Sequence, residues 1–239
     1  MIACPVCSTI NHHLAITCSS CGSYVQHKVD NLNLFETMWK VIESPRKGFH
    51  EIAISRYKNY AIFLSAVAGI GFTFTIFWFL KIGEAIPELI KLLSMGIGLG
   101  PFVGIIWMLV FALIVKTISS IARSRISFRN IFAISAYALV PILLTIFSIL
   151  PIEILTFGSF MFMRTPSPYS LKPFSYGAVM TIDGLCGLWA IILFMIGIKV
   201  LTEEKWVKVT FISLISLLVF LALNAVLITF IASKLIIQV

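Results

Sequence analysis

Charged side chains are scarce in this sequence, and acidic ones are the scarcest. Only 12% of the 239 residues are Asp, Glu, Lys or Arg, whereas about 25% is usual for a soluble globular domain. Hydrophobic residues make up 59% of the chain, and the mean hydropathy is +1.03. This composition excludes an ordinary soluble domain and predicts an integral membrane protein.

Acidic residues are outnumbered by basic ones, 10 against 18, which gives a net charge of +8. A basic excess can bind nucleic acid, but it also marks the cytoplasmic ends of membrane helices. In a chain this apolar we favour the second explanation, and we predict no nucleic-acid partner.

Catalytic signatures are also absent from the sequence. It contains no HExxH helix, no GxSxG turn and no phosphate-binding glycine loop. An aspartyl mechanism needs two carboxylates that share a site. The sequence places Glu153 near the edge of the opposite face of the membrane, not at a mid-span position that would match Asp183. We therefore expect no enzymatic activity and no bound nucleotide.

Five apolar stretches are long enough to cross a bilayer, which takes about 20 helical residues. The first sixty residues are polar by comparison and do not resemble a cleavable secretory signal. The sequence thus predicts an all-α polytopic membrane domain behind a polar N-terminal segment. The predicted spans are residues 60–80, 97–119, 131–150, 178–201 and 207–233.

Lys and Arg residues fall mainly on one side of these spans. Thirteen lie before the first span, between the second and third, or between the fourth and fifth, and five lie on the other side. Because basic residues concentrate on the cytoplasmic side, the N-terminus is predicted to be cytosolic. An odd number of spans then places the C-terminus outside.

Four of the five cysteines lie within the first 21 residues, spaced CPVC and CSSC. Each CxxC places two thiolates on one tight turn, and two such turns supply the sulfurs of a closed tetrahedral zinc site. Disulfides do not persist in a reducing cytosol. We therefore predict a structural Zn²⁺ bound by Cys4, Cys7, Cys18 and Cys21 in a zinc ribbon spanning residues 1–27.

The alternative for these cysteines is a redox pair or unused thiols, but the βαβ context of a thioredoxin-like motif is missing. Gly22 suits the backbone reversal after the second pair. His12 and His13 are expected to be solvated rather than ligands, and Cys186 is expected to be a packing residue. Because a closed site has no free coordination position for a substrate, the ribbon is expected to dock a protein partner.

Residues 28–58 are predicted to form two amphipathic juxtamembrane helices. Asn33 and Glu36 resemble a capping box, and Ser44 followed by Pro45 is a second start signal. The first helix places its apolar residues on one face, and the second combines an apolar face with basic residues. Such segments lie at an anionic leaflet, either as a collar of the membrane domain or as a lipid sensor. The apolar positions are Phe35, Met38, Trp39 and Ile42, then Phe49, Ile52, Ala53 and Tyr57.

Within the membrane, Gly96, Gly100 and Gly104 form a GxxxGxxxG run, which favours close helix approach inside the chain or across a homo-oligomer. Asp183 is either a polar contact between helices or part of an ion or proton site, and Gly187 shares its small-residue face. Pro141 is predicted to kink the third span. The proline-containing stretch 151–177 is predicted to be an extended external loop.

Three segments carry a resemblance to a known family: SPRKGFHEI before the first span, YALVP at 137–141, and DGLCGLWAIILFMIGIKV in the fourth span. They resemble the bacterial branch of the Yip family, named for interaction with Ypt/Rab GTPases. Tyr137, Pro141 and Trp189 match family positions, which implies that they belong to the packing of a five-span domain, here residues 59–239. The resemblance further implies a non-enzymatic protein of a bacterial plasma membrane, with some relatives associated with export systems.

Two functions are therefore expected to compete. The first is a membrane scaffold or accessory protein whose zinc ribbon docks a partner, with an ABC-type exporter or membrane organisation as its setting. The second is a small transporter or channel that uses Asp183.

Overall fold

The computed structural model describes residues 1–124 and 126–236, with side chains up to residue 233. The chain begins with a two-stranded antiparallel sheet, β1 (Ile2–Ala3) and β2 (Ile10–Asn11). Within residues 1–27 only Cys4, Asn11 and Cys18 are buried. A unit with so few buried residues has no apolar core that could hold it folded.

Five helical stretches of the described chain are long and apolar enough to cross a membrane, as predicted. The first matches its predicted bounds to within one residue, and the other four extend beyond theirs. The stretches are α3 (Ala61–Leu80), α4 (Leu89–Ile121), the consecutive pair α5 (Phe128–Ala138) and α6 (Val140–Phe157), α8 (Pro173–Thr202) and α9 (Trp206–Ile236).

Two short helices precede the spans. In α1 (Leu34–Glu43), the Asn33 side chain accepts a hydrogen bond from the Glu36 amide, so the predicted cap is present. The protein-facing side of α1 buries Thr37 and Val41 and leaves Phe35 79% exposed and Trp39 66% exposed. These two aromatic side chains therefore face away from the rest of the protein.

The second short helix, α2 (Pro45–Ile54), is more deeply buried than an interfacial helix. Its Phe49 and Ile52 side chains are fully buried, and the helix packs against α8 and α5. Tyr57, which was expected on the same apolar face, is exposed. The helix thus contributes to the core instead of lying on the leaflet.

The third span is broken at Leu139, which ends α5 and precedes α6. Pro141 lies in the first turn of α6, where its missing N–H leaves no helical hydrogen bond unmade. The break therefore lies where a kink was predicted.

The extended loop predicted for residues 151–177 is wrong. α6 continues through Pro151 to Phe157, a 3₁₀ turn follows over Gly158–Phe162, and a short helix α7 spans Pro168–Leu171. Proline is tolerated inside membrane helices because neighbouring groups satisfy the freed carbonyl. Met161 and Phe162 in the 3₁₀ turn are buried, so this segment closes the bundle.

The loops richest in basic residues meet at one end of the bundle. Arg129 donates to the Arg56 carbonyl, and the Ser124 hydroxyl donates to Glu204 Oε1 at 3.4 Å. We call this the basic end, and the opposite one the outer end. Arg125 and the side chain of Lys234, both counted in the charge bias, lie outside the described residues.

The main core surrounds α5, where Ile131, Ile134 and Tyr137 are fully buried among α2, α3, α4 and α8. A smaller cluster at the outer end joins Phe74, Phe77 and Phe162. α9 is peripheral, because only 6% of its most apolar window is buried inside the protein. Its surface is therefore left for lipid.

Candidate metal centre and membrane cavity

Two similar turns bring the four N-terminal cysteines together. The Cys4 and Cys21 sulfurs are 3.6 Å apart, and the Cys7 and Cys18 sulfurs are 3.5 Å apart. All four Sγ atoms lie within 4.8 Å of one another. Tetrahedral coordination with metal–sulfur bonds of about 2.3 Å places sulfurs roughly 3.8 Å apart, so the cluster has the size of a metal site.

Each turn reverses at the residue after its second cysteine. Ser8 follows Cys7 with φ of 58°, and Gly22 follows Cys21 with φ of 72°. The left-handed conformation favours glycine, which is why the sequence signalled the reversal at Gly22 and not the equivalent one at Ser8. The Ser8 and Gly22 amides donate to the first cysteine carbonyl of their own turn.

Hydrogen bonds favour the thiolate form of the two buried cysteines. The Ser23 hydroxyl and the backbone amides of Cys7 and Val6 lower the pKa of Cys4 to about 6. Backbone amides of Cys21 and Ser20 lower the pKa of Cys18. Since metals bind the deprotonated sulfur, these donors suit a ligand set that could hold a metal ion.

Asn11 links the two turns, and the sequence patterns did not reveal it. Its Oδ1 accepts from the Ser19 amide at 2.9 Å, while its Nδ2 donates to the Thr9 carbonyl at 2.9 Å and to the Cys18 sulfur at 3.5 Å. The side chain is buried at the centre of the ribbon. Such outer contacts orient metal ligands; a lone asparagine on a two-residue strand carries no sequence signal for that role.

The ribbon contacts the basic end of its own membrane domain. The N-terminal ammonium group of Met1 lies 3.2 Å from Glu203 Oε2, and a ring nitrogen of His13 lies 3.0 Å from the Val200 carbonyl oxygen. The expectation that His13 is solvated is therefore wrong, because it packs into this contact. His12 is exposed, and neither histidine belongs to the described cysteine cluster.

Other ribbon side chains remain uncovered. Val6, in the first cysteine turn, is 72% exposed, Ile10 on β2 is 66% exposed, and Tyr24 is 63% exposed. Apart from Met1, they are the large exposed apolar side chains of residues 1–27, and a protein partner would cover such groups. We call these three residues the ribbon apolar face.

The glycine run lies against α3. A Cβ atom on Gly104 would lie 2.1 Å from the Ser65 carbonyl oxygen, and one on Gly100 would lie 2.6 Å from Ile70 Cα. A Cβ on Gly96 would meet the Phe74 ring at 2.5 Å. All three glycines thus face α3 of the same chain, which leaves this face no room for a second copy.

The remaining predicted packing residues have different surroundings. Tyr137 is fully buried, and its hydroxyl donates to the Asn59 carbonyl at 2.9 Å. Pro141, which follows Tyr137 in the YALVP segment, is also buried. Trp189, in contrast, is exposed on the lipid side of α8.

Asp183 has a second carboxyl beside it. The Glu153 side chain on α6 lines the same cavity as Asp183 on α8, near enough for the two carboxyl groups to interact, and the Thr145 hydroxyl lies next to Asp183. The expectation that Asp183 has no intramembrane carboxyl partner is therefore wrong. The continuation of α6 past Pro151 is what carries Glu153 to this position.

These carboxyl groups line a cavity of about 310 Å³ between α3, α6 and α8. Glu153 is only 5% exposed, and no hydrogen-bond donor of the described residues reaches its Oε1 or Asp183 Oδ1. Trp78 Nε1 is a third buried polar atom without a partner there. The remaining lining is largely apolar and includes Phe72, Phe74, Ile146, Phe162 and Met180.

A second cavity of about 280 Å³ adjoins the first toward the basic end. Phe72, Ile142 and Gly187 line both cavities. At Gly187 an added Cβ would meet no atom within 4 Å, so this glycine widens the passage between them. The second cavity is walled mainly by aromatic and aliphatic side chains of α4, α8 and α9.

The comparison with known families is consistent with this architecture. The model of the Yip1 domain matches residues 39–228, which include α2 and the greater part of all five spans. Neither a curated protein nor a solved structure matches the chain. Because the matched region is well over half of the sequence, the chain belongs to the Yip1 domain family of membrane proteins.

Proposed function

We propose that this protein is a non-enzymatic membrane scaffold whose N-terminal zinc ribbon binds a protein partner in the cytosol. The observation that carries the proposal is the ribbon apolar face, which stays exposed although the ribbon is held against its own membrane domain. Four thiolates in two turns are the ligand set that zinc prefers, and a closed site of this kind is structural. The charge bias supports a cytosolic basic end.

The fixed position of the ribbon supports docking over enzymatic chemistry. Its contacts with Val200 and Glu203 restrain the ribbon beside the bundle, so a bound partner would be held at the membrane surface. The membrane domain resembles the bacterial branch of the Yip family, some of whose members are associated with export systems. We therefore propose a component of an ABC-type exporter in a bacterial plasma membrane as the partner. The ordering cost of binding is small when the surface is already held in place.

The test is affinity purification of the intact protein in mild detergent with four forms of the ribbon. Val6→Asp places a charge on the ribbon apolar face, and Ser20→Asp adds the same charge to an exposed polar position of the ribbon. The double variant Cys4→Ser/Cys7→Ser removes half of the ligand set. Metal content and membrane insertion are measured on every sample.

We expect the wild type and Ser20→Asp to retain the same partner, and Val6→Asp to lose it while keeping its metal. The cysteine variant should lose both metal and partner and still insert into the membrane. Retention of the partner by Val6→Asp at the wild-type level would contradict docking through this face. Absence of zinc from the wild type would contradict the structural metal.

A second candidate function, transport of a small cation or proton through Asp183, is favoured by the proximity of Asp183 and Glu153. Ionisable residues inside a membrane commonly mark ion pathways. Proteoliposomes with the wild type should show a flux that Asp183→Asn removes. Flux that survives this substitution contradicts the transport function without affecting the scaffold proposal.

A further inference from the structure

The cavity between α3, α6 and α8 combines two acidic side chains with an aromatic wall and an apolar extension. We propose that it binds a small organic cation with an apolar tail, such as an alkylammonium compound, with the charged head beside Glu153 and Asp183. This inference deepens the transport candidate by naming its ligand class. It concerns binding alone, so it holds whether or not the ligand crosses the membrane.

The charge of the lining determines the sign of the ligand. Glu153 from α6 and Asp183 from α8 are the acidic groups at the cavity, and the adjacent Cys186 is the next ionisable group on α8. α3 and the 3₁₀ turn contain no ionisable residue. The described lining includes no Lys, Arg or His. The nearest recorded cation is Lys81, whose ammonium group stacks on the ring of the lining residue Trp78 at 4.6 Å; among the described residues no basic side chain donates to either carboxyl group.

An unpaired carboxylate in apolar surroundings is strongly disfavoured. Glu153 is only 5% exposed, and its Oε1 accepts no hydrogen bond from the described residues. Two protons neutralise the pair, and so do one proton and one bound monovalent cation. A monovalent organic cation therefore enters by replacing a proton, which leaves to the solvent, and the total charge of the site stays the same.

The aromatic lining suits an organic head group better than a bare metal ion. Phe72, Phe74 and Phe162 line the same cavity as the two carboxyl groups, and the faces of aromatic rings attract ammonium groups. A small inorganic cation would need several oxygen ligands, and besides the two carboxyl groups the described lining offers only the Thr75 and Thr145 hydroxyls as side-chain oxygens.

The adjoining apolar cavity accommodates the tail. It shares Phe72, Ile142 and Gly187 with the acidic cavity, so a chain attached to the head group passes the open side of Gly187. Thr75, which is exposed on α3, also lines the acidic cavity. The cavity is thus within reach of the lipid-facing surface, where an amphiphilic cation concentrates.

The test is calorimetric titration of the full-length protein in maltoside detergent with octyltrimethylammonium. Two partial probes separate the contributions: octanol keeps the tail without the charge, and tetramethylammonium keeps the charge without the tail. The variants are Glu153→Gln and Asp183→Asn, with Glu88→Gln as the matched control because Glu88 is an exposed carboxylate at the N-terminus of α4. Circular dichroism and elution volume check the fold of each variant.

We expect saturable binding of octyltrimethylammonium to the wild type and to Glu88→Gln. Either carboxyl substitution should weaken it by about tenfold or more, since a desolvated charge contact is lost. Both partial probes should bind more weakly than the complete ligand. Acidification should weaken binding to the wild type, because protons compete for the carboxyl pair.

Equal affinity for octanol and octyltrimethylammonium would overturn the proposal, because the cavity would then recognise only the tail. Unchanged affinity in both carboxyl variants would overturn it as well. If these variants fail to fold, the wild type still decides: affinity independent of pH, or the absence of saturable binding, overturns the proposal. Loss of flux in proteoliposomes with binding intact would instead contradict transport alone.

Discussion

The helices α3 and α4 approach each other closely at Gly104, and replacing this glycine with alanine tests the packing of the membrane domain. A Cβ on Gly104 would lie 2.1 Å from the Ser65 carbonyl oxygen and 2.5 Å from Gly69 Cα. Both are backbone atoms, so no side chain can rotate away. Gly98, on the same helix, is the matched control, because its added Cβ would meet nothing within 4 Å.

The expected cost follows from these distances. Ordinary contact begins at 3.4 Å, so α3 and α4 would have to part locally by about 1 Å, which forfeits a quarter to a half of the dispersion energy of each contact. Overpacking of this kind costs about 1–3 kcal/mol. The gain of about 0.5–1 kcal/mol from replacing a helical glycine with alanine applies to both variants, so their difference isolates the contact.

The assay is thermal unfolding in maltoside detergent, followed by circular dichroism. We expect Tm of Gly104→Ala to fall below that of Gly98→Ala by about 2–4 °C for each kcal/mol. Equal Tm values would refute the close packing of α3 on α4. Mass measurement by light scattering should give the same oligomeric state for both variants; a change confined to Gly104→Ala would show that the glycine face joins two copies instead.

Three further predictions concern other parts of the chain. Removing the metal with a strong chelator should increase amide hydrogen exchange throughout residues 1–27 and leave residues 61–162, which lie before the ribbon contacts at Val200 and Glu203, unchanged, because the ribbon has no apolar core; unchanged exchange in the ribbon would contradict metal-dependent folding. Tyr137→Phe should lower the free energy of unfolding by about 1–3 kcal/mol, since a buried carbonyl loses its donor, whereas the exposed Tyr169→Phe should have little effect; equal Tm values for the two would contradict it. Burial lowers the pKa of Lys58 to about 8 from its ordinary 10.5, so the unfolded chain binds more protons between these values and stability should rise with pH across this window. Lys58→Met should flatten that rise, and an unaltered slope would show that another group causes it.

Local patterns in the sequence were sufficient for the membrane class, for the five spans and for the grouping of the cysteines. Each CxxC folds within a few residues, so its spacing alone predicts two thiols on one turn. The cap at Asn33 is equally local. In these cases the interacting groups are near neighbours in the chain, and sequence distance is a good measure of spatial distance.

Predictions failed where the outcome depended on partners far along the chain. The helix α2 was expected to lie on the leaflet, but Phe49 and Ile52 are buried because the helix packs against α8 and α5. His13 was expected in solvent and instead contacts Val200, 187 residues away. Neither contact has a periodicity or a motif that could reveal it.

The composition and spacing of this chain determine that it enters a membrane with five apolar helices and that its N-terminus gathers four thiols. Only the tertiary structure decides that Glu153 meets Asp183, since that depends on α6 continuing past Pro151 and on how α6 and α8 pack. Hydrophobicity decides that a helix enters the lipid. Close packing between helices decides which of its side chains contact one another. The intramembrane cavity is therefore a property of the fold, whereas the pairing of the cysteines on two turns is a property of the sequence.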